Sequence, residues 1–206
     1  MTRAILALAL TLQIAIIAVL LRAPSYTVSA AQTSQGSTPP HPLILQESDG
    51  ERLVRRTGPT AGWPFTIKLD GQSGNTQDFF VFTSIMAPGE TIPFHKHDNA
   101  EEILFVEEGG ATVVVGDQRA LAGPRSIVFI PRDTWISATN SSKHDIHDIA
   151  IFSRHGYEQY MRALGVKQGE PMTPLNPDEL TRLRALGHSM YWDTSKGPYP
   201  PGVAHP

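Results

Sequence analysis

The chain reads as an all-β protein, a barrel or sandwich of short antiparallel strands. Seven runs rich in β-branched and aromatic residues follow one another closely, at 65–69, 79–86, 103–106, 111–115, 126–130, 134–139 and 146–152. Turn chemistry separates them: Asp70-Gly71, Pro88-Gly89, Glu108-Gly109-Gly110, Gly116-Asp117 and Pro131. No long helical period interrupts this part of the chain, which argues against a parallel sheet with crossover helices.

A length of 206 residues suits one domain with appendages and is enough to bury a proper core. The formal net charge is -3, from 17 basic and 20 acidic residues. No basic block is present, so nothing points to nucleic acid. The absence of cysteine excludes disulfides and thiolate chemistry.

The chain opens on a segment that reads as an export signal rather than as part of the fold. Arg3 precedes an apolar run from Ala4 to Leu21, broken only by Thr11 and Gln13, and Arg22 and Pro24 end it. Val28-Ser29-Ala30 supplies small residues for cleavage after Ala30 or Ala31. The same run, left uncleaved, is long enough to anchor the protein in a membrane. Either way the domain is expected outside the cytoplasm, periplasmic or extracellular. The organisation expected is therefore a signal or anchor at 1–30, a flexible Ser/Thr/Gln/Pro linker at 31–45, a barrel at 46–155, and short helices with a tail at 156–206.

Within the barrel, Phe65, Ile67 and Leu69 alternate with Thr66 and Lys68, a half-buried strand. Phe79–Met86 stops at Pro88-Gly89, and Gly116-Asp117 turns a hairpin after Ala111–Val115. Past Ser153 the period changes. Tyr157, Tyr160, Met161 and Leu164 share one face of a short helix that Gly165 ends. A second helix begins at Asn176-Pro177-Asp178-Glu179, where Asn176 caps, Pro177 takes the first helical position and Glu179 completes a capping box. Leu180, Leu183 and Leu186 give its apolar face. Both helices are expected on the outside of the barrel.

The chemistry concentrates between Gly89 and Gly109. His95 and His97 stand two apart, so on a strand both imidazoles project to one face. Glu102 follows after a gap that a short turn fills. Two imidazoles and a carboxylate suit a divalent transition metal: Fe, Mn, Ni, Cu or Zn. The same alternation sends Leu104 and Val106 inward, toward a substrate pocket, and leaves Ile103 and Phe105 facing outward. An outward apolar pair calls for a cover, either the C-terminal helices or a second subunit. Glu101 then points away from the site.

The spacing Gly89-x5-His95-x-His97-x4-Glu102-x6-Gly109 resembles the first motif of the cupin family in full. The resemblance implies a single cupin barrel, a double-stranded β-helix or jelly roll, and makes a homodimer the expected assembly. Members of the family usually complete the metal site from a second motif. Here the matching stretch is Arg125–Asn140: Pro131 and Asn140 are in register, Asp133 stands where a glycine is usual, and Ile136 stands at the position of the last histidine ligand. Ile136 therefore joins the pocket rather than the metal. His147 is the candidate for a compensating residue, sharing a face of its strand with Ile149 and Ile151.

Two readings follow. In the first, His95, His97 and Glu102 hold a metal with open positions for a small organic substrate, and Glu102 doubles as a general base. In the second, the site is degenerate and the barrel binds or senses a small molecule without catalysis. The stretches Trp63–Leu69 and Ile151–Gly165 add similarity to small single-domain bacterial cupins often compared with quercetin dioxygenase. That similarity implies a fold and a dioxygenase-like enzyme class, and specifies no substrate.

Overall fold

A computed structural model describes residues 39–58 and 60–206. The expected export segment lies outside the described residues, as does most of the linker. Among the described residues, no helix is long and apolar enough to cross a membrane.

Among the described residues, twelve strands form two antiparallel sheets. The first has the order β11-β1-β2-β3-β10-β5-β8 and the second β12-β4-β9-β6-β7. The strands are β1 (Glu51–Arg55), β2 (Pro64–Leu69), β3 (Phe80–Met86), β4 (Thr91–His97), β5 (Glu102–Glu108), β6 (Ala111–Val115), β7 (Gln118–Ala122), β8 (Ile127–Ile130), β9 (Ile136–Asn140), β10 (Ile146–Phe152), β11 (Gly165–Lys167) and β12 (Ser189–Tyr191). Two helices, α1 (Tyr157–Leu164) and α2 (Pro177–Leu186), interrupt the last three strands. The seven expected strands are all present, and so is β4, the strand on which His95 and His97 were expected. β1, β7, β11 and β12 are additions: β1 is rich in charge, β7 is an exposed edge, and β11 and β12 are three residues each.

Alternation builds the interior. β10 buries Ile146, Asp148, Ala150 and Phe152 and turns His147, Ile149 and Ile151 to the other face. β5 buries Glu102, Leu104 and Val106 as expected. One apolar cluster joins Met86, Leu104, Val106, Ile130 and Ile146 of the first sheet to Val113, Ile136 and Ala138 of the second. A second cluster gathers Phe65, Phe80, Phe82 and Phe152 with Tyr157, Tyr160, Met161 and Leu164 of α1. The helical face read from the sequence is thus correct, but α1 does more than lie on the outside. It supplies core, and Arg162 ties it to Glu51 of β1 and to Asp70. α2 has the expected capping box, with Asn176 accepting from the Glu179 N–H at 2.9 Å, and buries no residue fully.

The outward pair Ile103 and Phe105 stands in register with Phe129 and Ile127 of the edge strand β8. Ile103, Phe129 and Ile127 remain 36%, 55% and 67% exposed, so the C-terminal helices leave this face open.

Two motif positions have a direct backbone explanation. Gly89 and Gly109 both adopt φ near +81°, and a Cβ at Gly109 would come within 2.7 Å of the Asp145 carbonyl oxygen. Asp133, where a glycine is usual, also has a positive φ of 58°, a conformation that Asp tolerates better than most residues. Asn140 is fully buried. Its amide nitrogen donates to the carbonyls of Met86 and His144, both at 2.8 Å, and its carbonyl oxygen accepts from the Ser142 N–H and hydroxyl. It welds β9 to the ends of β3 and β10. Asn140→Ala should therefore lower unfolding stability by about 3 kcal/mol in urea, because it removes four hydrogen bonds and orphans a buried carbonyl. A loss under about 1 kcal/mol would contradict this account of the position.

Candidate metal centre

β4 places His95 and His97 on its inward face, and β5 begins with Glu102 pointing back at them. All three side chains are buried, and one ligand atom from each lies within 4.8 Å of the others. The three residues singled out in the sequence are thus brought together.

The outer partners set the imidazole tautomers. His95 Nδ1 lies 2.9 Å from the Pro93 carbonyl oxygen, which can only accept, so Nδ1 carries the proton and Nε2 is a free lone pair. His97 Nδ1 lies 3.2 Å from Ser189 Oγ, and that hydroxyl donates to the Gly187 carbonyl at 3.2 Å. Ser189 has one proton to give, so it accepts from His97 Nδ1–H. Nε2 of His97 is then also an unprotonated lone pair. It faces Glu102 Oε2 at 3.8 Å, and neither atom has a hydrogen-bond partner although both are fully buried. Two acceptors facing each other in the interior are unfavourable unless a cation or proton stands between them. This is the donor set and the orphaned geometry that a divalent metal fits, with each histidine held by an outer hydrogen bond.

The electrostatics agree. Burial holds the His95 imidazolium down to about 4 and the His97 imidazolium well below its usual range, so both rings are neutral at physiological pH. Burial, and then the neighbouring Asp148 charge, push Glu102 up to about 8. Without a cation Glu102 keeps its proton; a bound metal would displace it.

A cavity of about 40 Å³ opens on this group. Ile136 and Leu104 line it as expected, with Phe82, Phe152 and Trp63 giving further apolar wall. Ile136 pairs directly with His95 across β4 and β9, so the missing histidine is replaced by a hydrocarbon surface. Val106 is buried in the apolar cluster and does not reach the cavity wall. The expectation for His147 is corrected: it pairs with Ile85 and Glu108 on the outer face of β10, and the inward position beside it is Asp148.

Several cavity residues are not marked as part of the site by the sequence. Asp148 accepts from the Ser84 hydroxyl at 2.7 Å, and burial pushes it up to about 6. Tyr157 of α1 meets the His97 ring edge-on at 4.8 Å. Tyr191 of β12 stacks on His95 with centroids 5.4 Å apart and is itself held by the Tyr160 hydroxyl and the Arg184 guanidinium. Arg55, the last residue of β1, also lines the cavity. The alternation of Ile146, Asp148, Ala150 and Phe152 was the signal for Asp148. β12 is too short for any pattern to reveal Tyr191.

The family described as cupin domain matches residues 82–152. No curated protein matches the sequence. Among solved structures, the chain is similar to a predicted oxalate decarboxylase from Thermotoga maritima, with 13% identity over 55% of this chain and 100% of the other and a TM-score of 0.49. It is also similar to a sugar phosphate isomerase from a cupin superfamily in Silicibacter pomeroyi (19% identity, 55% and 77% of the two chains, TM-score 0.48) and to KdgF from Halomonas sp. (20% identity, 46% and 82%, TM-score 0.41). Residues 82–152, from within β3 to the end of β10, are the stretch that matches the cupin domain.

Proposed function

We propose that the protein is an exported, metal-dependent enzyme acting on a small organic molecule, with dioxygenase-type chemistry the leading class. The observation that carries the reading is the pair of unpartnered lone pairs on His97 Nε2 and Glu102 Oε2, with His95 converging on them. A divalent transition metal held by these three residues would supply a Lewis acid and, if redox-active, a site for oxygen chemistry. The rest is done by the chain. Ile136 withholds a fourth protein ligand and leaves room for substrate. Phe82, Leu104 and Phe152 keep bulk water out. Glu102, once ionised, can take a proton from a substrate through the oxygen that does not hold the metal, and Asp148 offers a second buried carboxyl in the same cavity.

Ile136 also supports a second reading, a binding or sensing cupin whose site has lost its metal. Metal content separates the two. Purified without chelator, the full chain should carry about one equivalent of Fe, Mn, Ni or Cu, and replacing both His95 and His97 with Ala should abolish it and lower the melting temperature. No metal, together with the same melting temperature in the double variant, would support the binding protein instead. The affinity should also depend on pH in one direction. Glu102 loses its proton on metal binding, so affinity should rise about tenfold per pH unit up to pH about 8 and level off above it. A flat profile between pH 6 and 8 would contradict Glu102 as a ligand.

Export rests on the apolar run from Ala4 to Leu21 and the small residues before Ala31. Expressed from its own start in a bacterial host, the protein should appear outside the cytoplasm, either trimmed near Ala30 or bound to the membrane. Full-length protein recovered soluble from the cytosol would overturn this part of the proposal.

A further inference from the structure

We infer that Arg55 is the anchor for the carboxylate of a small organic monoanion, which defines the substrate class of the cavity. The inference rests on the reading of this cavity as a metal-assisted ligand site.

Alternation on β1 turns Leu53 and Arg55 to the inner face, and Arg55 is only 9% exposed. Its neighbour Arg56 is satisfied, donating from Nε and Nη2 to the Ala163 carbonyl. Arg55 is different. Among the described residues no carboxylate lies within 4.0 Å of it, and the arginine-to-carboxylate bonds belong to Arg162. Its guanidinium rests 5.7 Å from the centre of the Phe65 ring and lines the cavity shared with His95, Glu102 and Asp148. A guanidinium cannot shed its proton to escape burial. Asp148 shares the cavity and attracts the guanidinium without touching it, so no carboxylate bonds Arg55 directly, and a ligand carboxylate would do so through two parallel N–H···O bonds.

The charge count points to a single negative charge. A divalent cation and Arg55 oppose two carboxylates, Glu102 and Asp148, and one positive charge is left over. The cavity volume of about 40 Å³ restricts size. By the same measure a water needs about 10–15 Å³, so the ligand in this state has roughly the bulk of three waters. A short monocarboxylic acid meets both conditions. Its carboxylate would face Arg55, with the rest of the molecule directed at His95 and Glu102.

Calorimetric titration of the zinc-loaded full chain with acetate and glycolate, and with acetamide and glycolamide as neutral isosteres, tests this. The acids should bind at least about tenfold tighter than their amides. Arg55→Met should erase the preference while leaving zinc content and circular dichroism unchanged, and Arg55→Lys should keep part of it. Equal affinity for acid and amide in the wild type, no binding of either acid at millimolar concentration, or an undiminished preference in Arg55→Met would each overturn the inference. Should Arg55→Met fail to fold, the wild-type ratio and Arg55→Lys still decide. Zinc content, measured on every sample, scores the metal reading separately. A chain without zinc that still shows an Arg55-dependent preference for acids upholds the anchor and refutes the metal.

Discussion

Two lone pairs face each other across 3.8 Å of protein interior, on His97 Nε2 and Glu102 Oε2. Much of the molecule serves to hold them there. β4 and β5 belong to different sheets, and the short 98–101 connection between them turns Glu102 back toward His97. Pro93 and Ser189 fix the imidazole tautomers from behind, which prevents either ring from turning a proton toward Glu102. The Phe152 and Tyr157 rings stand against the His97 edge and keep water away. Once Glu102 is ionised the arrangement is unfavourable without a cation, and a metal that takes the place of the proton would satisfy both acceptors.

The C-terminal segment is bound up with that site. α1 places Tyr157 against His97, and β12 extends the second sheet beyond β4 to bring Ser189 and Tyr191 behind the two histidines. Tyr191 is in turn backed by Tyr160 and Arg184. The barrel and its appendage therefore act as one unit around the candidate site, and a change in α2 can reach His95 through Arg184 and Tyr191.

Much of this was legible in the sequence, for physical reasons that differ by element. Strands with one buried face announce themselves by alternation, as β2 does, and His95, His97 and Glu102 follow once β4 and β5 are strands. The Tyr157 face and the Asn176 cap depend on local spacing and are equally plain. β10 shows where such reasoning divides. Ile146, Ala150 and Phe152 compete with Ile149 and Ile151 for the interior, since both faces are apolar, and periodicity cannot choose between them. Whether the face of His147 or that of Asp148 turns inward is that ambiguity, settled in the fold by the pairing of β10 with both β3 and β5. Arg55 escaped for a different reason. A strand reading Glu-Arg-Leu-Val-Arg gives too weak an apolar signal to suggest burial, and only the completed barrel shows which arginine points inward.

The central claim is that two histidines, and not three, hold the metal, with Ile136 as hydrocarbon in place of the third. X-ray absorption of the metal-loaded protein counts imidazoles directly through their multiple-scattering signature. The account predicts two imidazoles and a carboxylate oxygen in the first shell, and one imidazole in His97→Ala. A third imidazole, or a shell made of oxygen alone, would contradict it.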